Sequence, residues 1–306
     1  MIEADGDGWI PFSTHRLGVG EALPCPLYRR SGDRPYRWHE AGELISSAAL
    51  AEVREPQIFI EARSLGGFAG FLSGRMERAL EDSSASAEEC GLRVYDAGWA
   101  VLSDYFGRPE VVEARTKVSR LARAMTIARQ RPGVLAAVLS APVGASPGIH
   151  GVRVAAIALI IGRARGLGDA SSERLAEGAL IHDLGEVVMP PRGADVDASS
   201  WMEAARAQHP SVGFGLLRAH GDVDPMVTAC VLAHHERLHG RGVPYGLSGS
   251  AIPLAGRIVG LADALDEHQN AHLGESMTTS LANLVQSEPD GFDSALVEAL
   301  SISLDG

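Results

Sequence analysis

Apolar residues change their spacing part-way along the chain. Over residues 8–62, short β-type runs such as WIPF and QIFIEA alternate with turn signals at SGDRP (31–35) and AG (41–42), and one helical stretch surrounds Leu44–Val53. This pattern predicts a small α+β unit. SSASAEE at 83–89 is small, polar and acidic, the composition of a linker. Beyond it apolar residues fall at three- and four-residue steps, Val118, Leu121 and Met125 among them, with arginines between. Helices are predicted over 92–106 and 109–130, then over roughly 149–166, 171–184, 200–220, 223–237, 254–270, 275–286 and 291–303, with breaks at PG (132–133), APVG (141–144) and SPG (146–148). No strand-length alternating run follows residue 70, and no internal repeat or heptad array is present. The expected fold class is mainly α. A small α+β N-terminal unit (1–85) leads through a linker and helical lead-in (86–144) to a compact helical bundle (145–306).

The 306 residues, 45% hydrophobic and 22% charged, suffice for a sizeable core in one large or two modest domains. A formal net charge of -12 argues against binding a nucleic-acid polymer, whose phosphates need a basic face. Only Lys117 among the 27 basic residues is a lysine, so an anion elsewhere must meet arginine, backbone N–H groups or metal. Cys25, Cys90 and Cys230 are odd in number and outside any CxxC spacing, which reads as free thiols in a reducing cytoplasm. MIEADGDGWIPF lacks the basic and apolar regions of a signal peptide. The most apolar run, VRVAAIALIIG (152–162), is too short for a bilayer and carries Arg153, so a buried helix and no membrane association are expected.

Candidate chemistry lies in the helical half. Of eleven histidines, His150, His182, His209, His234 and His235 fall at helix ends or in neighbouring motifs, with Asp183 and Asp263 completing the set. Imidazoles with carboxylates suit manganese, iron or zinc, and one carboxylate can bridge two cations. Two metals so placed clamp the attacking and leaving oxygens of a phosphoester. Adjacent ligands at 182 and 183 need a helix terminus, and Gly185 is expected to supply it. His209, His220 or His268 alone would read as a hydrogen-bonded core histidine. The conjunction is specific: HD, then HisPro, then HisHis, then GLAD (260–263), each on a separate predicted helix.

The order His150, HD at 182–183, HisPro at 209–210, HHERxxGxGxPxGLxGxxIPL at 234–254 and RIVGLAD at 257–263 resembles the HD-GYP family, a branch of the HD phosphohydrolases. The resemblance covers roughly residues 145–270; residues 9–30 and 41–50 more weakly resemble the small domain that often precedes such modules. It implies a helical HD-type bundle with a dinuclear or trinuclear iron or manganese centre, hydrolysing cyclic di-GMP to the linear dinucleotide or GMP through a metal-activated bridging hydroxide. His150, His182 and Asp263 would hold the first metal, His209, His234 and His235 the second, and Asp183 would bridge them. The glutamate that holds a third metal in some members is replaced by Ser146, which favours two divalent transition metals.

The sequence departs from the family where substrate is contacted. The lysine of HDxGK is Glu186, the tyrosine of GYP is Val243 with Tyr245 two residues on, the aspartate of HHERxDG is His239, and EHQNAHLGES follows Asp266 in place of an arginine-rich segment. Arg237, Arg241 and Arg257 are either surface charges or a cationic wall replacing the lysine. Asp183 and Glu186 are therefore the candidate catalytic residues, and Arg237, Arg241, Val243 and Tyr245 the candidate substrate contacts. Three readings stay open: a cytoplasmic cyclic di-GMP phosphodiesterase, a catalytically silent module that binds the nucleotide or a protein partner, and a phosphohydrolase of another nucleotide. In the first, the N-terminal unit would regulate the bundle or form a homodimer.

Overall fold

The computed structural model describes residues 8–31, 34–53, 57–109, 112–144, 146–189, 197–219, 221 and 224–305. The N-terminal part holds β1 (Trp9–Ser13), β2 (Leu27–Ser31), β3 (Arg34–His39), α1 (Ser47–Glu52) and β4 (Gln57–Glu61). Then follow α2 (Leu65–Glu81), α3 (Ala87–Gly107), α4 (Val112–Ala128), α5 (Val134–Ser140), α6 (Pro147–Ala164), α7 (Asp169–Leu180), α8 (Ala198–Ala219), α9 (Pro225–Ala233), α10 (Leu254–Ala271), α11 (Met277–Ser287) and α12 (Ser294–Asp305). No strand among the described residues lies beyond β4, so the mainly α class holds.

The four strands form one antiparallel sheet in the order β1-β4-β2-β3. Ile10, Phe12, Ile58 and Ile60 are buried against the helices. Phe12 meets the Phe68 ring of α2 at 5.1 Å and the Trp99 ring of α3 at 6.3 Å, which docks the sheet onto the helical part. β3 is an exposed edge strand carrying Pro35, with only its last two positions covered. With neither face buried it lacks the alternation that marks a strand, and the sequence pattern predicts neither β2 nor β3. The expected turn at residues 32–33 lies outside the described residues, as do His220 and the predicted helix start at 223.

SSASAEE is not a slack linker. The Ser86 side chain accepts the Glu89 N–H at 3.0 Å and caps α3, while Glu88 and Glu89 occupy its first turn, where anions suit the helix dipole. The same small and acidic composition thus marks a helix start, and only a tight turn separates α2 from α3. Residues 86–144 hold α3, whose side chains are buried from Val94 through Phe106, with α4 and α5 packed on it. A single apolar core runs from Ile10 to Leu300 through these helices. α2 carries four glycines in LGGFAGFLSGRMERALE, which weaken its helical signal, yet Phe68, Ala69, Leu72 and Met76 present one buried face.

α6 is the core helix of the C-terminal part, buried along Gly151–Leu159 and packed against α3, α7, α10 and α12. It is long and apolar enough to cross a membrane, but 67% of that window is buried inside the protein. Its N-terminal turn and the ends of its neighbours converge on one spot, where the histidines gather.

Candidate metal centre

Seven side chains from five elements meet there. His150 stands in the first turn of α6, and His182 and Asp183 in the turn that follows α7. His209 lies within α8, His234 and His235 end α9, and Asp263 sits mid-way along α10. All seven sequence candidates are thus brought together. All but His150 and Asp183 are buried, and those two side chains keep 15% and 18% exposure, which sets the open side.

Gly185 acts differently from expectation. It does not adopt the left-handed conformation of a helix C-cap; a Cβ there would lie 2.0 Å from the His209 carbonyl oxygen and 2.7 Å from the Gly213 nitrogen. Its role is close approach. The short 3-10 turn Leu184–Val188 lies directly on the α8 backbone and draws Asp183 toward His209.

The ring nitrogens are oriented from behind. His182 Nδ1 donates to the Ala179 carbonyl (2.8 Å), His209 Nδ1 to the Ala205 carbonyl (3.1 Å) and His234 Nδ1 to the Val231 carbonyl (3.0 Å). His150 Nδ1 meets Asp266 Oδ2 at 2.9 Å, and the other Asp266 oxygen accepts from Arg153 Nε at 2.5 Å. Each Nε2 is thereby turned inward, where it would serve as a ligand once unprotonated. His150 Nε2 lies 3.2 Å from His182 Nε2, and His209 Nε2 lies 3.0 Å from His234 Nε2.

Asp183 straddles the two pairs. Its Oδ2 is 3.5 Å from His150 Nε2 and 3.3 Å from His182 Nε2, while Oδ1 is 3.3 Å from His209 Nε2 and 3.6 Å from His234 Nε2. Asp263 Oδ1 reaches His150 Nε2 at 3.2 Å. His235 Nδ1 and Asp263 Oδ2, 3.5 Å apart, are buried without a hydrogen-bond partner among the described residues.

These observations fit metal. Ligands about 2.1 Å from a common ion stand roughly 3.0 Å apart at right angles and roughly 3.4 Å apart at the tetrahedral angle. Buried donors without partners and facing lone pairs are costly unless a cation joins them. Protons partly take that place in the metal-free protein. Burial opposes charge on His150 and His182, but contacts with Asp263, Asp266 and Asp183 raise the first well above its ordinary value, and Asp183 with Asp263 raises the second to about 10. Burial brings His234 down to about 4 and His235 well below its ordinary value, so both offer neutral rings. Asp183 and Asp263 stay ionised, the imidazoles outweighing their loss of solvation.

The candidate substrate residues divide. Glu186 stands at the rim, 53% exposed, its Oε1 3.8 Å from His209 Nδ1, and lost solvation together with Asp183 raises its pKa. Arg237 corrects the expectation of a cationic wall: it is buried, pairs with Glu288 (3.1 Å), donates to the His234 and Glu236 carbonyls, and lies over the Phe292 ring. Arg257 is likewise tied to Asp293 at 2.5 Å. Both hold the scaffold. Arg241 is exposed on the loop, the Val243 N–H bonds the His235 carbonyl (3.1 Å), and Tyr245 is 61% exposed.

Residues outside the predicted set prove structurally important. Glu236 is buried, and its two oxygens accept the Tyr245 and Leu247 N–H groups at 2.8 Å each, pinning the glycine-rich loop. Gly242 packs so closely that a Cβ would lie 2.4 Å from the Arg237 nitrogen. Asp266 orients His150 from behind, and its place one turn after Asp263 was the available sequence signal.

Facing helices of a bundle can build a metal site in its core from inward-projecting side chains, and a pair of metals so held suits phosphoester hydrolysis. The family model described as HD domain matches residues 120–296, and the chain belongs to that family. Among curated proteins it is similar to the cyclic di-GMP phosphodiesterase response regulator RpfG of Xanthomonas campestris pv. campestris, 31% identical over 61% of this chain and 47% of that protein. It is also similar to 3'3'-cGAMP-specific phosphodiesterase 2 of Vibrio cholerae, 29% identical over 39% of this chain and 23% of that protein. The chain therefore spans less than half the length of these relatives. Among solved structures, Bd1817, an HDG"Y"P protein from Bdellovibrio bacteriovorus, matches with a TM-score of 0.75 at 17% identity, over 97% of this chain and 100% of that one, and so shares its fold.

Proposed function

We propose that this chain is a metal-dependent phosphodiesterase of a cyclic dinucleotide, with cyclic di-GMP the first substrate to test. The observation that carries the reading is Asp183, whose two oxygens each face a separate histidine pair. His150, His182 and Asp263 would hold one divalent cation, His209, His234 and His235 a second, with Asp183 shared; the nitrogen and oxygen donors suit iron or manganese. Such cations, when bound, supply Lewis acidity and lower the pKa of water. The chain's own part is to fix the ligands from behind through Asp266 and the carbonyls of Ala179, Ala205 and Val231, and to leave the His150 and Asp183 side open to a phosphodiester. The similarity to phosphodiesterases of cyclic di-GMP and 3'3'-cGAMP supports this substrate class. Residues 1–85 would regulate the catalytic part (145–306) or mediate dimerisation, with 86–144 joining them through the shared core. Three buried free cysteines suit a cytoplasmic setting.

Glu186 favours a second reading, in which the centre binds a nucleotide or a protein partner without turnover, because an anion at the rim repels phosphate. Incubating the iron- or manganese-loaded chain with cyclic di-GMP and 3'3'-cGAMP and separating products by chromatography distinguishes the two. Linear dinucleotide or mononucleotide supports the enzyme. Tight binding without product supports the silent module, and failure to retain metal after anaerobic loading defeats both.

A further inference from the structure

The centre lacks a lysine beside it, since the chain's single lysine, Lys117, is held by Asp104 (3.1 Å) and the Gly66 carbonyl (3.0 Å). Arg237 and Arg257 are tied to Glu288 and Asp293. Another cation stands beside the centre. Arg206 lies three residues before His209 on α8, and Glu267 four residues after Asp263 on α10, so each is one helical turn from a ligand and on its face. They meet at 3.2 Å, joining the two helices, with their side chains 42% and 47% exposed. The charge of Arg206 is felt by Asp263 and His235 in the centre.

We propose that Arg206 is the phosphate-binding cation of this site, held by Glu267 until a phosphodiester takes its place. The inference rests on the reading that the centre acts on a phosphate ester. An exposed ion pair is weak, and a phosphate presents the guanidinium with the same two-oxygen fork as the carboxylate. Arg206 thereby does from α8 what a lysine at position 186 would do from the turn after α7. Glu267 makes the site selective: an anion must compete with a resident carboxylate to reach the metals.

The test is calorimetric binding of inorganic phosphate and of cyclic di-GMP to the manganese-loaded full chain, with metal content measured on the same preparations. Arg206→Ala should weaken both ligands by about tenfold or more with metal content unchanged. Arg206→Lys should recover part of the loss, keeping the charge without the fork. Glu267→Gln should tighten both ligands by about two- to fivefold. Phosphate binding to Arg206→Ala as to wild type overturns the proposal, as does loss of metal from that variant or a weakening by Glu267→Gln. If Arg206→Ala weakens phosphate while wild type ignores cyclic di-GMP, the arginine's role stands and the nucleotide reading falls. Wild-type protein that binds neither ligand overturns both.

Discussion

Replacing Gly185 with alanine tests how the centre is assembled without touching a ligand. The new Cβ would lie 2.0 Å from the His209 carbonyl oxygen, some 1.4 Å short of ordinary contact at 3.4 Å, and 2.8 Å from the carbonyl carbon behind it. These are backbone atoms, so no rotamer change relieves the clash. Either the turn carrying Asp183 or the α8 turn carrying His209 must move, and the 3.3 Å separation of their facing atoms must grow. Overpacking of this kind costs about 1–3 kcal/mol, and for a chain of this size each kcal/mol lowers the melting temperature by roughly 2–4 °C. The functional cost is larger, because metal–ligand distances tolerate only about 0.2 Å and a misplacement of about 1 Å costs on the order of a hundredfold in rate. Thermal melting, metal analysis after reconstitution and turnover of cyclic di-GMP should fall together. A Gly185→Ala protein that melts as wild type and keeps both metals would refute the close-approach argument.

Asp266→Asn should lower metal affinity by about ten- to a hundredfold, because His150 loses its orienting carboxylate; it should also lower stability by about 3–5 kcal/mol, since the fully buried Arg153 loses its partner. Denaturant titration and metal competition measure the two losses separately. Glu186→Lys should tighten cyclic di-GMP about tenfold by exchanging a repulsion for a charge-assisted contact at the rim, whereas a fall in metal content would make Glu186 a ligand. Metal uptake should release protons and strengthen as pH rises through neutrality toward 10, because His182, raised to about 10 in the metal-free protein, must give up its proton; potentiometric titration reads this directly. In the metal-free chain the raised His182 contributes stability that is fully present below about pH 6.5 and lost as pH rises through 10, whereas His234, lowered to about 4, removes stability as pH falls from 6.5 to 4.

Much of the candidate centre could be read in the chain because few residue types can hold a metal. His182–Asp183, His209 and His234–His235 were visible as pairs and spacings, and the helices bearing them as apolar periodicity. The supporting interactions were less visible. Arg237 looked like a substrate contact because its burial depends on Glu288 and Phe292, far along the chain and brought to it only by folding. Gly185 read as a helix stop because the obstacle that demands it belongs to α8. SSASAEE and the β3 strand failed for a related reason: small acidic residues serve both caps and linkers, and an edge strand exposed on both faces has no alternation to show. Arg206 and Glu267 carry no local mark, since only the packing of α8 near α10 makes them neighbours.

The ligands span the chain from His150 to Asp263 and come from five elements, no one of which carries more than two of them. A nascent polypeptide therefore offers a passing ion only scattered imidazoles until α10 has docked on α6 and α9. Metal capture at such a centre would come late in folding, after its distant segments have met, and bound metal would then stabilise only the finished bundle. In a cell short of the metal, the same amount of synthesised chain would yield a larger unmetallated pool, less protected against proteolysis. Abundance of the protein would then track metal supply even when its gene is read at a constant rate.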